Sequence, residues 1–408
     1  MDEREPSNLR GKSICLPSES EAEYRHCVDD PRRFRQFVEQ MWHHYPELFP
    51  AEFGQGFKLH DSYRSRKQEI CLRRIKLKAT GAVFLVRPST LLPYLSGKTS
   101  DIEKALYLRQ WGVPFEALAY VFGRDAMFYY RAWSSLGRHS IVGTTIKKGE
   151  RVPEDWLADE KHTWLGGHRA YVATTVSDGC FLGAALAPEA STRSLQAAYG
   201  EFLSEAQEVA PAYQPRTVCT DGWCATREAW QLLVPTVQLI LCFLHSVLKI
   251  KARCRGALRQ QVCEKAWHVY RAHNKVEFAQ RLRRLREWAA DHLGGAVQET
   301  VMKLCQLKEE FIMAYDFPQA ARTTNGIDRL MDYQDRVLYG MRYLHGRPES
   351  ARRAVRAMAV QWNFHPYSAR AQLAGARRSP FEAINGFQYH SNWLHNLLSA
   401  ASMGGHRL

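Results

Sequence analysis

The sequence has no uninterrupted apolar run of about 18 residues, the length that a membrane-spanning helix needs. Its first six residues, MDEREP, are mostly charged and do not resemble a secretory leader. Ten cysteines are spread unevenly over 408 residues, and a chain of this length does not need disulfides to hold its core. We therefore expect reduced thiols, a cytoplasmic location and no membrane partner.

The sequence also has fewer acidic than basic residues. The chain has 42 Asp and Glu against 56 Lys and Arg, giving a formal net charge of +14 and a pI near 9.3. This balance favours a polyanionic partner, most often nucleic acid, although a generally basic protein without such a partner fits it too. With 45% hydrophobic residues, the chain is long enough for two or three domains with sizeable cores.

Changes in composition and periodicity divide the chain into segments. Residues 1–30 are polar and predict a loose tail, whereas residues 31–42 have the apolar spacing of a helix. Residues 70–78 and 83–87 predict a hairpin, whose basic face is either solvated or follows phosphates. We predict these segments: 1–44, tail and short helix; 45–98, small basic β region; 99–150, helical DNA-binding region and linker; 151–245, first part of a catalytic core; 246–320, helical insertion; 321–365, closing helix of the core; 366–408, C-terminal tail.

Residues 99–136 predict three short helices, with a Gly123-Arg-Asp turn between the second and the third. This spacing is compatible with a helix-turn-helix unit and equally with a plain three-helix bundle. In the first case the third helix would enter DNA, and Arg124, Tyr129 and Arg131 are its candidate contacts.

The middle of the chain predicts a mixed sheet. Three strands at residues 156–164, 169–176 and 180–186 precede a helix, and strands and helices then alternate to residue 243. The predicted class is mixed α+β or α/β, with a ribonuclease-H-like core interrupted by a helical insertion and preceded by the helical region.

Two aspartates meet in this predicted sheet. Asp159 lies in its first strand and Asp221 ends its fourth, so neighbouring strands would place both carboxylates side by side. Such a pair repels unless a cation is shared, and Mg²⁺ prefers carboxylate oxygen. A third acid is available at Asp328, Asp332 or Asp335, which share one face of a predicted helix, although a solvated acidic face explains that spacing as well.

A series of motifs in order resembles bacterial insertion-sequence transposases of the DDE/DDD type, similar in layout to the Mutator-like superfamily. The motifs include Tyr-Pro-Glu-Leu-Phe-Pro at 45–50, Gly-Val-Pro-Phe at 112–115, Thr-Asp-Gly-Trp at 220–223, Cys-x-x-His at 242–245 and Thr-Thr-Asn-Gly-Ile-Asp-Arg at 323–329. The resemblance covers residues 45–408. It implies that Asp159, Asp221 and Asp328 bind two Mg²⁺ or Mn²⁺ ions, with aspartate at the third position where many relatives have glutamate. Asp332 is the alternative third ligand.

Two further groups of residues lie around this core. Cys242 and His245 are predicted to support the active site or the fold, and a zinc site completed by His268 and His273 is the less favoured interpretation. Residues 246–320 predict a helical insertion, whose basic surface either contacts the DNA backbone or is simply solvated. The candidate contacts are Lys249, Lys251, Arg253, Arg283 and Arg284.

The sequence thus predicts a nucleoid-associated transposase that cuts double-stranded DNA at the ends of a mobile element and joins them to a target. We expect a homo-oligomer on DNA. The alternatives are a transposase-derived DNA-binding protein without catalysis and a ribonuclease-H-like nuclease.

Overall fold

The computed structural model of the protein describes residues 13–66, 68–93, 95 and 97–406. Its first unit is a four-stranded sheet in the order β1-β4-β3-β2, in which β1 is parallel to β4 and the other pairs are antiparallel. The elements are β1 (Ser13–Leu16), α1 (Glu21–Val28), α2 (Pro31–His44), β2 (Phe57–Ser65), β3 (Ile70–Leu77) and β4 (Val83–Pro88). The predicted hairpin and the predicted helix at 31–42 are confirmed.

The prediction of a loose tail over residues 1–30 is wrong from Ser13 onward, and residues 1–12 lie outside the described part. Ser13–Leu16 pairs with β4 about 70 residues away, with Ser13 opposite Leu85. The Tyr24 hydroxyl donates to the Val86 carbonyl at 2.8 Å from within α1. These partners are distant in sequence, so local periodicity could not reveal them.

Four helices follow: α3 (Thr99–Arg109), α4 (Phe115–Phe122), α5 (Ala126–Ser135) and α6 (Ile141–Thr145). The three helices predicted between residues 99 and 136 are confirmed. The segment that we expected to be a linker contains α6, whose five residues are all buried. Apolar side chains from Ile14 to Met403 belong to one continuous cluster that includes residues on both sides of position 150.

The second sheet has the strand order β7-β6-β5-β8-β9. Strands β5, β6 and β7 are antiparallel, whereas β8 is parallel to both β5 and β9. Its elements are β5 (Asp155–Leu165), β6 (His168–Ser177), β7 (Cys180–Ala187), α7 (Thr192–Val209), β8 (Thr217–Thr220), α8 (Cys224–Leu233) and β9 (Gln238–Leu241). All of these strands and helices were predicted, and the mixed α and β class is confirmed.

Five helices then form a body with a hydrophobic cluster of its own, running from Leu241 to Phe311. They are α9 (Phe243–Arg253), α10 (Gly256–Tyr270), α11 (Lys275–His292), α12 (Gly295–Gln306) and α13 (Lys308–Ile312). In α11 the buried positions recur at helical spacing (Phe278, Leu282, Leu285, Ala289), which leaves its basic residues outside.

The chain ends with α14 (Asn325–Gly340), α15 (Pro348–Phe364), α16 (Ala369–Leu373), α17 (Pro380–Asn385) and α18 (Trp393–Ala400). The expected C-terminal tail is instead packed: Ser402 accepts a hydrogen bond from the Cys15 N–H at 3.0 Å and donates to the Leu48 carbonyl at 2.7 Å. Alternation along β5 assigns the two sheet faces. Trp156 contacts Phe202 of α7, whereas Leu157 lies against Gly326 of α14.

Two broader expectations can be compared with this fold. All ten cysteines are free thiols. Among the described residues, no helix combines the length and the apolar character that crossing a bilayer requires.

Candidate active site

Asp159 lies in the middle of β5, opposite Thr174 of β6. Its side chain is on the sheet face that α14 covers, because Leu157, two residues earlier, lies against Gly326 of that helix. Its Oδ1 accepts the Glu160 N–H at 2.8 Å. The carboxylate is therefore held on a regular strand, close to the edge where β8 ends.

Asp221 follows the last residue of β8, in a turn that requires glycine. Gly222 has φ +89°, and a Cβ atom at this position would lie 2.5 Å from the Leu241 side chain. Asp221 Oδ1 accepts the Trp223 N–H at 2.8 Å, which fixes the carboxylate at the start of α8. Because β8 pairs with β5, the turn places Asp221 beside the strand that carries Asp159.

Asp328 lies in the first turn of α14. The start of this helix packs closely on β5, since a Cβ on Gly326 would lie 2.9 Å from the Leu157 side chain. The side chain of Asp328 is exposed. The sheet and the start of α14 thus bring together the three acids that the sequence predicted.

Two of these acids, Asp159 and Asp328, have raised pKa values. Burial raises the pKa of Asp159 to about 6, and the negative charges of Asp221 and Asp328 raise it as well. Partial desolvation raises the pKa of Asp328, with Asp332 adding to the effect and His245 opposing it. The negative charges of Asp221 and Asp328 thus disfavour the ionised form of Asp159, as neighbouring carboxylates do.

A sulfur atom ties the end of β9 to the start of α14. The Thr324 N–H donates to Cys242 Sγ at 3.1 Å, and Thr324 Oγ1 lies 3.3 Å from Cys242 Sγ and 3.4 Å from His245 Nδ1. The Phe243 N–H also donates to the Arg322 carbonyl at 3.2 Å. Hydrogen bonding to Cys242 raises the pKa of His245, and the nearby charges of Asp159 and Asp221 act in the same direction. Support of the site by Cys242 and His245 remains a prediction that this geometry favours.

Glu160 is an acid that sequence reasoning missed. It points to the opposite face of the sheet from Asp159, where its Oε1 accepts the Tyr199 hydroxyl at 2.5 Å and the Thr226 hydroxyl at 2.6 Å. Burial raises its pKa to about 7. The signal for it was the pair of adjacent acids within one strand, since alternation sends one of them to each face.

The other two acids on this face of α14, Asp332 and Asp335, differ in their surroundings. Asp335 forms an ion pair with Lys161, a residue of β5 on the same face as Asp159. Asp332 is exposed, and its charge contributes to the raised pKa of Asp328. Asp335 is thus already neutralised by a lysine, whereas Asp328 and Asp332 have no cationic side chain paired with them among the described residues.

The donor atoms suit a hard divalent ion, but they do not form a closed cage. In the part of the chain that the structure describes, no three His, Cys, Asp or Glu side chains are grouped so that they could hold a metal ion. Mg²⁺ is commonly held by one or two carboxylates together with waters and substrate phosphates. Uncompensated carboxylates beside an open surface fit that mode of binding, and they do not fit a structural site made by protein ligands alone.

The residues of the helical region that were predicted to contact DNA differ in their exposure to solvent. Tyr129 is fully buried in α5, so the prediction that it contacts DNA is wrong. Arg124 and Arg131 are exposed, and the Arg124 guanidinium lies 4.9 Å from the centre of the Phe128 ring. The amphipathic pattern identified the helix correctly, but it did not tell which side of the helix faces solvent.

In the helical body after β9, all the predicted cationic contacts are exposed: Lys249, Lys251, Arg253, Arg283 and Arg284. Arg283 pairs with Glu287 at 3.6 Å, an exposed pair within one helix. The other four have no acidic partner among the residues described. Their role in DNA contact remains a prediction.

No protein-family model matches the chain, and comparison with curated proteins finds no match either.

Proposed function

We propose that this protein is a DDD-type transposase, which cleaves DNA strands at the ends of an insertion sequence and transfers them to a target with the help of divalent metal ions. The observation that carries the proposal is the grouping of Asp159, Asp221 and Asp328 near one edge of the sheet, where burial first, and then the charges of Asp221 and Asp328, raise the pKa of Asp159 to about 6. A carboxylic acid whose pKa is strongly raised beside other carboxylates is typical of catalytic sites.

The strand order supports the same proposal. Three antiparallel strands followed by two parallel ones, in the order β7-β6-β5-β8-β9, are compatible with the proposed ribonuclease-H-like layout. In this layout the central strand β5 carries Asp159, and its parallel neighbour β8 delivers Asp221. The helical body between β9 and α14 corresponds to the expected insertion.

The three acids would hold the divalent ions from different parts of the fold. Divalent ions bound here would activate a water or a DNA 3′-hydroxyl and stabilise the leaving oxygen. Asp159 and Asp221 hold their carboxylates on fixed backbone, at the strand and at the glycine turn. Asp328 closes the site from the start of α14, whose position depends on the contact of Thr324 with Cys242.

The test uses duplexes made from the DNA that flanks the gene, together with a supercoiled plasmid as target and Mg²⁺ or Mn²⁺. The wild-type protein should nick the duplexes and join them to the plasmid. Asp159→Asn and Asp221→Asn should bind the same duplexes and do neither. Asp328→Asn and Asp332→Asn decide between the two candidates for the third ligand: activity should be lost in the first and retained in the second.

The outcomes separate the competing functions. Full strand transfer by Asp159→Asn and Asp221→Asn would refute the proposal. Specific binding by the wild type without cleavage in either metal would favour a DNA-binding protein without catalysis. Cleavage without joining would favour a nuclease.

A further inference from the structure

A pocket of about 260 Å³ lies between α5 and the start of α15. Three arginines line it, Arg131 and Arg138 from α5 and the turn after it, and Arg353 from α15. Serine hydroxyls of Ser134 and Ser350 complete its polar wall. We propose that this pocket binds a phosphate of the DNA backbone and so positions the duplex on the protein. The inference rests on the proposed function insofar as its ligand is DNA.

The charges of this pocket are arranged to receive an anion. Arg131 and Arg353 are exposed, and neither pairs with an acid within the described ranges. Their neighbours on α15 behave differently, because Arg352 pairs with Glu201 and Arg356 pairs with Glu205. Two arginines of α15 are therefore neutralised by glutamates. The third, Arg353, has no acidic partner in the described part of the chain and lines the pocket. Guanidinium groups bind phosphate oxygens through two parallel hydrogen bonds, which suits this role.

The pocket also lies at the positive end of a long helix. Ser350 is the third residue of α15, which runs for 17 residues from Pro348. The dipole of such a helix favours an anion near its first turn. Glu349 in the same turn is exposed and does not line the pocket.

Packing indicates that the contact is with the backbone and not with bases. The Trp133 indole N–H donates to Gln361 Oε1 at 2.7 Å, which fixes α5 against α15 along its buried side. Tyr129 and Ala132 are buried on that side too. Arg131 thus opens onto a pocket shared with α15, and it does not stand on a free helix that could enter the major groove. Phosphate contacts position DNA without reading its sequence.

The test compares Arg353→Gln with Arg352→Gln, two equal charge changes at adjacent positions of α15. Binding is measured for a duplex of the gene's flanking DNA and for an unrelated duplex of equal length, over a range of salt concentrations. Arg353→Gln should weaken binding of both duplexes alike, by roughly 3- to 10-fold, and should lower the slope of log K against log salt by about 1. Arg352→Gln should bind nearly as the wild type does, and Arg353→Lys should recover part of the loss. Equal thermal midpoints for the two Gln variants would show that folding is not the cause.

Each other result overturns the inference. If Arg353→Gln binds DNA with wild-type affinity, the pocket does not take part in DNA binding, and the proposed function is unaffected. A loss confined to the flanking duplex would mean that Arg353 reads bases. If inorganic pyrophosphate stabilises the wild type but not Arg353→Gln, while DNA binding is unchanged, the pocket serves a soluble phosphate. If the wild type binds neither duplex, the proposed function itself fails.

Discussion

Replacing Asp159 by Asn should stabilise the metal-free protein at neutral pH while abolishing strand transfer. In the folded protein the pKa of Asp159 is raised from an ordinary value near 3.8 to about 6, first by burial and then by the charge of Asp221. Ionising this carboxyl therefore costs more in the folded state than in the unfolded state. Asn keeps the shape and can still accept the Glu160 N–H that Asp159 Oδ1 accepts at 2.8 Å.

The sign and size of the effect follow from proton linkage. Between about pH 4 and pH 6 the folded wild type binds more protons at Asp159 than the unfolded chain does, so its stability falls as the pH rises through this window. The whole difference corresponds to roughly 3 kcal/mol. Because the Asn amide is also desolvated, we expect the variant to gain about 1–3 kcal/mol above pH 6 and nothing below pH 4.

Urea unfolding at pH 4, 5, 6 and 8 in the presence of EDTA measures this gain. Asp332→Asn is the control, because Asp332 is exposed on α14, and its substitution should change the free energy of unfolding by less than about 0.5 kcal/mol. Saturating Mg²⁺ at pH 8 should stabilise the wild type and reverse the order of the two proteins. A gain that is the same at every pH, or a loss at pH 8, would refute the electrostatic reasoning.

Two further substitutions test the supports of the site. Gly222→Ala should destabilise the protein by about 2–4 kcal/mol, because φ is +89° and the new Cβ would lie 2.5 Å from Leu241; an unchanged urea midpoint would contradict this. Thr324→Val keeps the shape but loses the hydroxyl that contacts Cys242 and His245, so strand transfer should fall at least tenfold while stability falls by only about 1–2 kcal/mol. Thr324→Ser should restore the activity, and failure of that rescue would leave Thr324 a purely structural residue.

Local patterns in the sequence were sufficient for much of the fold. The β-forming residues of 169–176 and the helical spacing around Leu282 are each local features of the sequence, and both elements are present as predicted. Elements defined by distant partners were missed. The strand Ser13–Leu16 has only four residues, which is too short to show a periodicity. It is defined by its pairing with β4, which is distant in the sequence.

The break between α14 and α15 shows a second kind of limit. The sequence predicted a closing helix over residues 321–365, but the chain turns between α14 and α15. Arg342 and Tyr343 have positive φ there, and Gly346 precedes the new start at Pro348. The glycine and the proline were visible signals of a helix end, whereas the left-handed backbone of Arg342 and Tyr343 depends on packing that the sequence does not display.

For the site, strand order was sufficient to bring Asp159 and Asp221 together, since β5 and β8 are parallel neighbours and each aspartate lies two residues beyond the Leu157–Cys219 pair. Sequence alone could not choose among Asp328, Asp332 and Asp335, which share a helix face. The choice depends on contacts from other elements, because Lys161 neutralises Asp335 and the packing of Gly326 against Leu157 brings the first turn of α14 to the sheet. Tyr129 was misassigned for a similar reason, because its fully buried ring packs against Phe122 of α4.

The distribution of cations gives the strongest physical argument for an external ion. The chain carries a net charge of +14, yet among the residues that the structure describes no Lys or Arg forms an ion pair with Asp159, Asp221 or Asp328. Lys161, two positions along the strand from Asp159, pairs with Asp335 instead. In the proposed function a divalent cation from solution would balance these three carboxylates, which His245 compensates only in part. Such a site is unfavourable in the isolated protein, which is why removing one of its carboxylates should raise stability and remove function together.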